Sequence, residues 1–368
     1  MPKNEKQFSL ARQKRALLVI EWSTGFRPAG SVWVLLLALR GFSLVEIGFA
    51  EAVFHIVSFC CELPSGLIAD VLGRKRTLAA SQVTSLCSAV LMAVSGDMSG
   101  VCLSLAFSAL GWNLLSGTRE AVTYESMLQA GEGEMYLKFS SLQNGMFRFS
   151  NGGAMLLAGA TVLLGWRKAY LLDVGICLIG LAAVLCLTEP ERDIPTVDLR
   201  MLPNALREKI QEAWRLLKAD STAVQIMLVN ALAGAFATLT GFFLQQRVEE
   251  AVTVPALLGP ALFVLGLGGG LAGLISGKLD RMPYRKSAAL TGAGVLACAL
   301  LAKSTALPIL MAAGLLAGLF DDGLQLVSDK KLNDRFPSAQ RATLVSVSSM
   351  MFSIFMIPLA PVMGWWFT

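Results

Sequence analysis

The sequence is poor in charge and almost without histidine: of 368 residues, 15% are Asp, Glu, Lys or Arg, and one is His. A soluble domain carries about 25% charged residues, so this chain lacks the polar surface a water-exposed fold needs. One histidine, with no nucleophile or cofactor constellation beside it, leaves little for an enzyme to work with, and neither a metal nor a cofactor is expected. The seven cysteines, Cys60, Cys61, Cys87, Cys102, Cys177, Cys186 and Cys298, all fall inside apolar runs. There a free thiol behaves as a small hydrophobe, and the spacing gives neither a disulfide framework nor a zinc pattern. No basic stripe interleaved with aromatics points to nucleic acid. An Asn-x-Ser/Thr sequon and a targeting motif are also missing, which fits a bacterial plasma (inner) membrane.

Apolar residues are what the chain has in excess, 55% of the total, with a mean hydropathy of +0.61. A bilayer core about 30 Å thick takes about 20 apolar residues per helix, and windows of that kind follow one another along the chain. They predict an all-α polytopic membrane protein with eleven spans, at residues 15–38, 44–67, 77–96, 98–120, 138–163, 167–188, 222–245, 254–277, 285–303, 306–327 and 340–366. The basic start before "ALLVIEWSTGF" resembles a signal peptide, but Glu21 and Arg27 interrupt its apolar part, and it is read as a first span that is kept.

Lysines and arginines gather on one side of this arrangement: Lys3 to Arg15, Arg74 to Arg76, and Lys278 to Lys286. By the positive-inside rule that side, with the N-terminus, is cytoplasmic. The longest polar interruption runs from Glu189 to Asp220. Its first part is punctuated by proline, and its second, "PNALREKIQEAWRLLKA", spaces Leu206, Ile210, Trp214 and Leu217 as an amphipathic helix. The predicted organisation is a six-helix bundle over 1–188, a cytoplasmic linker over 189–221 and a bundle of five helices over 222–368.

The halves repeat one another. "SGLIADVLGRKR", from Ser65, ends the second span, and "SGKLDRMPYRKS", from Ser276, ends the eighth; both lead from a Ser-Gly pair to an Arg-Lys pair at the same spacing. A motif returning at the same place indicates a parallel duplication. In the second copy the aspartate comes one residue early and Pro283 breaks the loop.

Gly66, Asp70, Gly73, Arg74, Lys75 and Arg76 match the G-x-x-x-D-x-x-G-R-[KR]-[KR] loop of the major facilitator superfamily, and the chain resembles bacterial drug-efflux-like members of that family. "ELPSG" before the loop, "SGTREAVTYESM" after span 4 and "KLNDRFPSAQRATLVSVSSM" into span 11 extend the similarity over nearly the whole chain. The resemblance implies two pseudo-symmetric helical bundles and transport by alternating access. It also implies a gate on the cytoplasmic side, in which Asp70 docks near Arg341 to Thr343 and Arg74 pairs with Glu120 or Glu125, beside Arg119. Two departures stand out: "NGMFRFSNGGAMLLAGA" has no Gly-Pro step where proton-driven exporters of the family carry one, and the chain stops after span 11 where the family has twelve.

Charged residues inside apolar spans are costly and mark candidate sites. Glu51, His55, Ser58, Glu62 and Ser65 are spaced 4, 3, 4 and 3 and share one stripe of span 2. His55 reads either as a packed structural residue or, with Glu51, as a proton-responsive pair. Glu21 and Arg27 sit in span 1, weakened by Pro28 and Gly30; Glu21 is the leading single candidate for substrate or proton binding, or else an ion-pair partner of Arg27 or Arg148. In span 10, Asp322 and Gln325 fall on one face, and the adjacent Asp321 and Asp322 could share a proton. Asp173 is a weaker candidate near the outer end of span 6.

The favoured function is a secondary active transporter that carries a small neutral or cationic drug-like molecule outward by alternating access, in exchange for protons. A proton-linked importer or facilitator of a metabolite, and a non-transporting sensor or partner subunit, stay open as alternatives. The expected partners are the substrate, protons and the lipid bilayer, with the protein a monomer.

Overall fold

The computed structural model describes residues 8–190, 202–336 and 341–368. Every element among the described residues is helical, as expected where each segment must satisfy its own backbone polar groups away from water. The helices are α1 (Leu10–Gly25), α2 (Trp33–Leu39), α3 (Leu44–Leu72), α4 (Arg74–Val94), α5 (Met98–Leu115), α6 (Thr118–Gln129), α7 (Tyr136–Leu156) and α8 (Ala158–Leu164). They continue with α9 (Trp166–Cys186), α10 (Leu202–Ala219), α11 (Ser221–Ala251), α12 (Leu258–Leu271), α13 (Gly273–Asp280), α14 (Tyr284–Leu301), α15 (Leu307–Asn333) and α16 (Arg341–Phe367).

Short polar side chains start several of them. Ser43 accepts from the Glu46 amide while Glu46 accepts from the Ser43 amide at 2.8 Å, a capping box at the start of α3. Asp97 opens α5 by accepting from Gly100 at 3.0 Å, and Asp220 opens α11 by accepting from Thr222 and Ala223. Between α3 and α4 the chain turns at Gly73 with φ of 98°, a conformation that strains any side chain.

The first expected span is broken. Pro28 lacks an amide hydrogen, and α1 and α2 end and begin on either side of it. The amides of Ala29 and Gly30, freed by the break, donate to Asp173 of α9 at 3.2 and 2.9 Å. Eight helices among the described residues are long and apolar enough to cross a membrane, nine if Gly133–Leu156 and Ala158–Leu164, bent by 53°, count as one. That falls short of the eleven expected. Neither α1 nor α2 alone reaches spanning length, and the first turn of α14 carries Arg285 and Lys286, which dilutes its apolar window.

Helices α1 and α3 to α9 pack on one another, as do α11 to α16; between the groups α16 lies along α3, α12 along α7, and α11 against α2. The contact is tightest at the end away from Arg74 to Arg76, here called the far end. A Cβ on Gly48 would stand 2.3 Å from the Ala360 carbonyl oxygen, and one on Gly259 would stand 2.0 Å from that of Leu156. Glycine is what lets these backbones touch. Around them Leu35, Leu36, Leu37 and Ile47 share one buried cluster with Phe243, Leu244, Leu262 and Met363. Gln245 of α11 ties the seam, donating to the Ser31 carbonyl at 3.2 Å and accepting from the Leu35 amide at 3.5 Å. Toward the basic end, a Cβ on Gly66, Gly145, Gly270 or Gly277 would meet no atom of a neighbouring helix within 4 Å.

Candidate functional site

A cavity of about 710 Å³ lies between the two groups of helices, within the range of about 300–1,000 Å³ typical of small-molecule sites. Both groups line it: the α1–α2 break supplies Arg27, α3 supplies Glu51, Phe54, His55 and Ser58, and α9 supplies Tyr170 and Asp173. From the other side come Phe242 and Gln245 of α11, Asp321 of α15, and Phe352 and Ser353 of α16.

The α3 stripe faces protein along its length. Glu51 Oε1 stands 3.3 Å from His55 Nε2, and His55 Nδ1 stands 3.2 Å from the Ser353 hydroxyl on α16. Phe54 and Phe352 meet the imidazole edge-on, both at 71°. One turn on, Ser58 donates to Asn113 of α5 at 3.0 Å and its carbonyl accepts from Asn113 at 2.7 Å. Glu62 accepts from Ser349 at 3.0 Å and does not line the cavity.

Among the remaining charges Asp321 stands apart. A Cβ on Gly234 of α11 would lie 3.3 Å from Asp321 Oδ1 and 3.4 Å from Phe352, so carboxylate and ring sit together on the cavity wall. Among the described residues it has no hydrogen-bond or ion-pair partner. Arg27, by contrast, donates to the Ser23 carbonyl at 2.8 Å and acts on Asp173 electrostatically.

Several expected site residues lie elsewhere. Glu21, 1% exposed, is outside the cavity lining; it pairs with neither Arg27 nor Arg148 but with Arg119 at 3.0 Å, and accepts from Gln143 at 3.3 Å. Arg27 lies beyond the end of α1 at Gly25, and the Glu21 face of that helix meets α6 and α7. Asp321 and Asp322 face different surroundings. Consecutive helical positions diverge by about 100°, and Asp322 reaches across to Arg148 of α7 at 3.4 Å, outside the cavity. Gln325 is exposed and does not line it.

At the basic end the motif is a knot of contacts within the first group of helices. Arg74 pairs with Asp70 at 3.1 Å and Glu125 at 3.3 Å, and Glu189 accepts from the Arg74 and Lys75 amides at 2.6 and 2.8 Å. Lys75 donates to the Leu185 carbonyl at 3.0 Å, at the end of α9. Glu120 pairs with Arg119 instead of Arg74. Gly66 and Arg76 are exposed, and the Arg341 side chain lies outside the described residues.

Three contributors were underrated or missed. Asp173 and Gln245 carried a signal, a polar group inside an apolar run. Ser353 carried none, since its role depends on which helix lies opposite.

Residues 23–283 match the model of the Major Facilitator Superfamily. An uncharacterized MFS-type transporter of Mycobacterium tuberculosis, found in two strains, is 28% identical over 236 residues, 61% of this chain and 33% of the relative. The chain thus spans about a third of the length of those relatives. Among solved structures, a nucleoside transporter, NupG, superposes with a TM-score of 0.76 at 15% identity, covering 95% of this chain and 90% of that one. A D-xylose–proton symporter superposes with a TM-score of 0.68 at 13% identity, covering 96% and 89%. With the family match running from the first helix into the loop after α13, over more than half of the chain, the protein belongs to the Major Facilitator Superfamily.

Proposed function

We propose that this protein is a secondary transporter that carries a small neutral or cationic, drug-like organic molecule out of the cell, coupled to protons, by alternating access. The observation that carries the reading is the cavity between the helix groups, with Asp321 unpaired beside Phe352 on its wall. A carboxylate without a partner in a low-dielectric site favours a cation or a proton over an anion, and an aromatic face adds cation–π attraction. Bundles 1–188 and 222–368 would rock about this site, joined by the 189–221 linker, in a bacterial plasma membrane. With the N-terminus cytoplasmic, the sealed far end is the outer one. The motif from Gly66 to Arg76, with Arg119, Glu120, Glu125 and Arg341, would then form the gate that closes when the far end opens.

The test is transport of tetraphenylphosphonium by purified protein in liposomes under an imposed pH gradient. Wild type should move the cation against its gradient, and Asp321→Asn should lower the rate at least about tenfold, the effect of losing about 1.4 kcal/mol of cargo binding. If neither this cation nor a neutral probe moves, and a ligand screen raises the melting temperature with nothing, the reading is abandoned.

A further inference from the structure

We propose that His55 is the proton-binding residue that couples protonation to the relative position of the two helix groups, with Glu51 and Ser353 as its partners; this rests on the transporter reading above. His55 is the chain's one histidine, 5% exposed on the cavity wall. Its two ring nitrogens serve different parts of the molecule. Nε2 faces Glu51 of its own helix at 3.3 Å, and Nδ1 faces the Ser353 hydroxyl of α16, in the other group, at 3.2 Å. Phe54 and Phe352 hold the ring edge-on from its sides, while the ring itself stays on the cavity wall.

The surroundings leave few competitors. From α16 the facing groups are hydroxyls, Ser353 and Ser349, and from α5 the polar group is Asn113, already bonded to Ser58. The charges of α4 and α10 lie toward the basic end, and Glu62, two turns along α3, is bonded to Ser349. Across the cavity stand Asp321 of α15, Arg27 before α2 and Asp173 of α9.

The proton balance is simple. Neutral imidazole donates Nε2–H to the Glu51 carboxylate and accepts at Nδ1 from the Ser353 hydroxyl. A proton taken from cavity water adds at Nδ1; Nδ1–H then donates to Ser353 Oγ, whose own hydrogen turns to another acceptor. The pair's net charge passes from −1 to zero, and on release the proton returns to water. A hydrogen bond donated by a charged group is stronger than one between two neutral groups, so protonation favours the arrangement that keeps Ser353 in reach. That arrangement is the one sealed at the far end. By linkage the sealed form binds the proton more tightly, so it is most populated at low pH and gives way as pH rises.

The test measures distances between spin labels at Val94 and Val254, exposed near the far end on the two groups, in protein whose native cysteines are replaced and which is held in lipid nanodiscs. Between about pH 5 and 8, where histidine changes charge, the ratio of short to long distances should fall about fivefold or more. His55→Gln should abolish this response. Ser353→Ala should weaken it while [¹⁵N]histidine spectra still show the single imidazole titrating, which separates lost coupling from lost folding. A wild-type ratio that does not change with pH, or an equal response in His55→Gln, overturns the proposal. No substrate is needed, so an unchanging ratio in protein that still moves tetraphenylphosphonium removes the role of His55 alone. A pH response in protein that moves nothing supports the role of His55 and removes the transporter reading.

Discussion

The two halves end their repeated motif with different fastenings. In the first, Arg74 is shared by Asp70 and Glu125, Glu189 caps the start of α4, and beneath them Arg119 binds the buried Glu21. In the second, Asp280 comes one residue early and pairs at the surface with Lys330 and Lys331, while Tyr284 bonds Ser328 at 3.0 Å and the Ile226 carbonyl at 3.2 Å. One copy is a network of partly buried charges; the other is exposed ion pairs with a neutral hydrogen bond below them. Burial decides their worth, since exposed pairs give about 0–1 kcal/mol, whereas stripping the partner from a buried charge costs several. The first half is therefore held more rigidly at this end than the second.

The contrast can be broken most forcefully at Arg119. Arg119→Leu leaves Glu21, 1% exposed, without its cation, and unfolding in detergent should show a loss of about 3–5 kcal/mol. Adding Glu21→Gln should recover much of it, as removing both charges of a buried pair costs less than removing one. A smaller loss, about 1–2 kcal/mol by the same measurement, is expected for Glu189→Ala, which strips the two amides at the start of α4 of their acceptor. In the second half, Tyr284→Phe should cost about 1 kcal/mol. If it costs as much as Arg119→Leu, the difference between the halves does not hold.

The smallest expected effect is at Asp220, outside the spans. The Ala223 amide and the Arg335 guanidinium, 2.7 Å away, hold its carboxyl below the usual aspartate range. A carboxyl lowered by folding adds stability above its unfolded value, near 3.9, and loses it as pH falls through the lowered value. Asp220→Asn keeps the cap but removes the charge, so it should melt below wild type at pH 7 and converge with it as the medium is acidified.

Local spacing made part of this legible. The family resemblance carried by Gly66 to Arg76 implied a partner for Arg74 at Glu120 or Glu125, of which the structure has Glu125, and the 4-3-4-3 spacing placed Glu51, His55, Ser58 and Glu62 on one face. Pro28 announced a weak point in the first span. Pairings between helices were not legible: Glu21 with Arg119, Asp322 with Arg148, and Asp173 with the amides freed by the break. Periodicity reports which face a residue occupies but not which helix lies opposite.

The sequence by itself determined that this chain is a helical membrane protein, that it repeats a motif in two halves, and that a few ionisable groups sit inside its apolar runs, because composition and helical period are local properties. Only the tertiary structure decided which of those groups meet in the cavity. Asp321 faces it and Asp322 does not, and His55 answers to a serine almost three hundred residues away. Those outcomes depend on the closeness of the far-end crossings, where Gly48 and Gly259 let backbones touch and so set which side chains converge below.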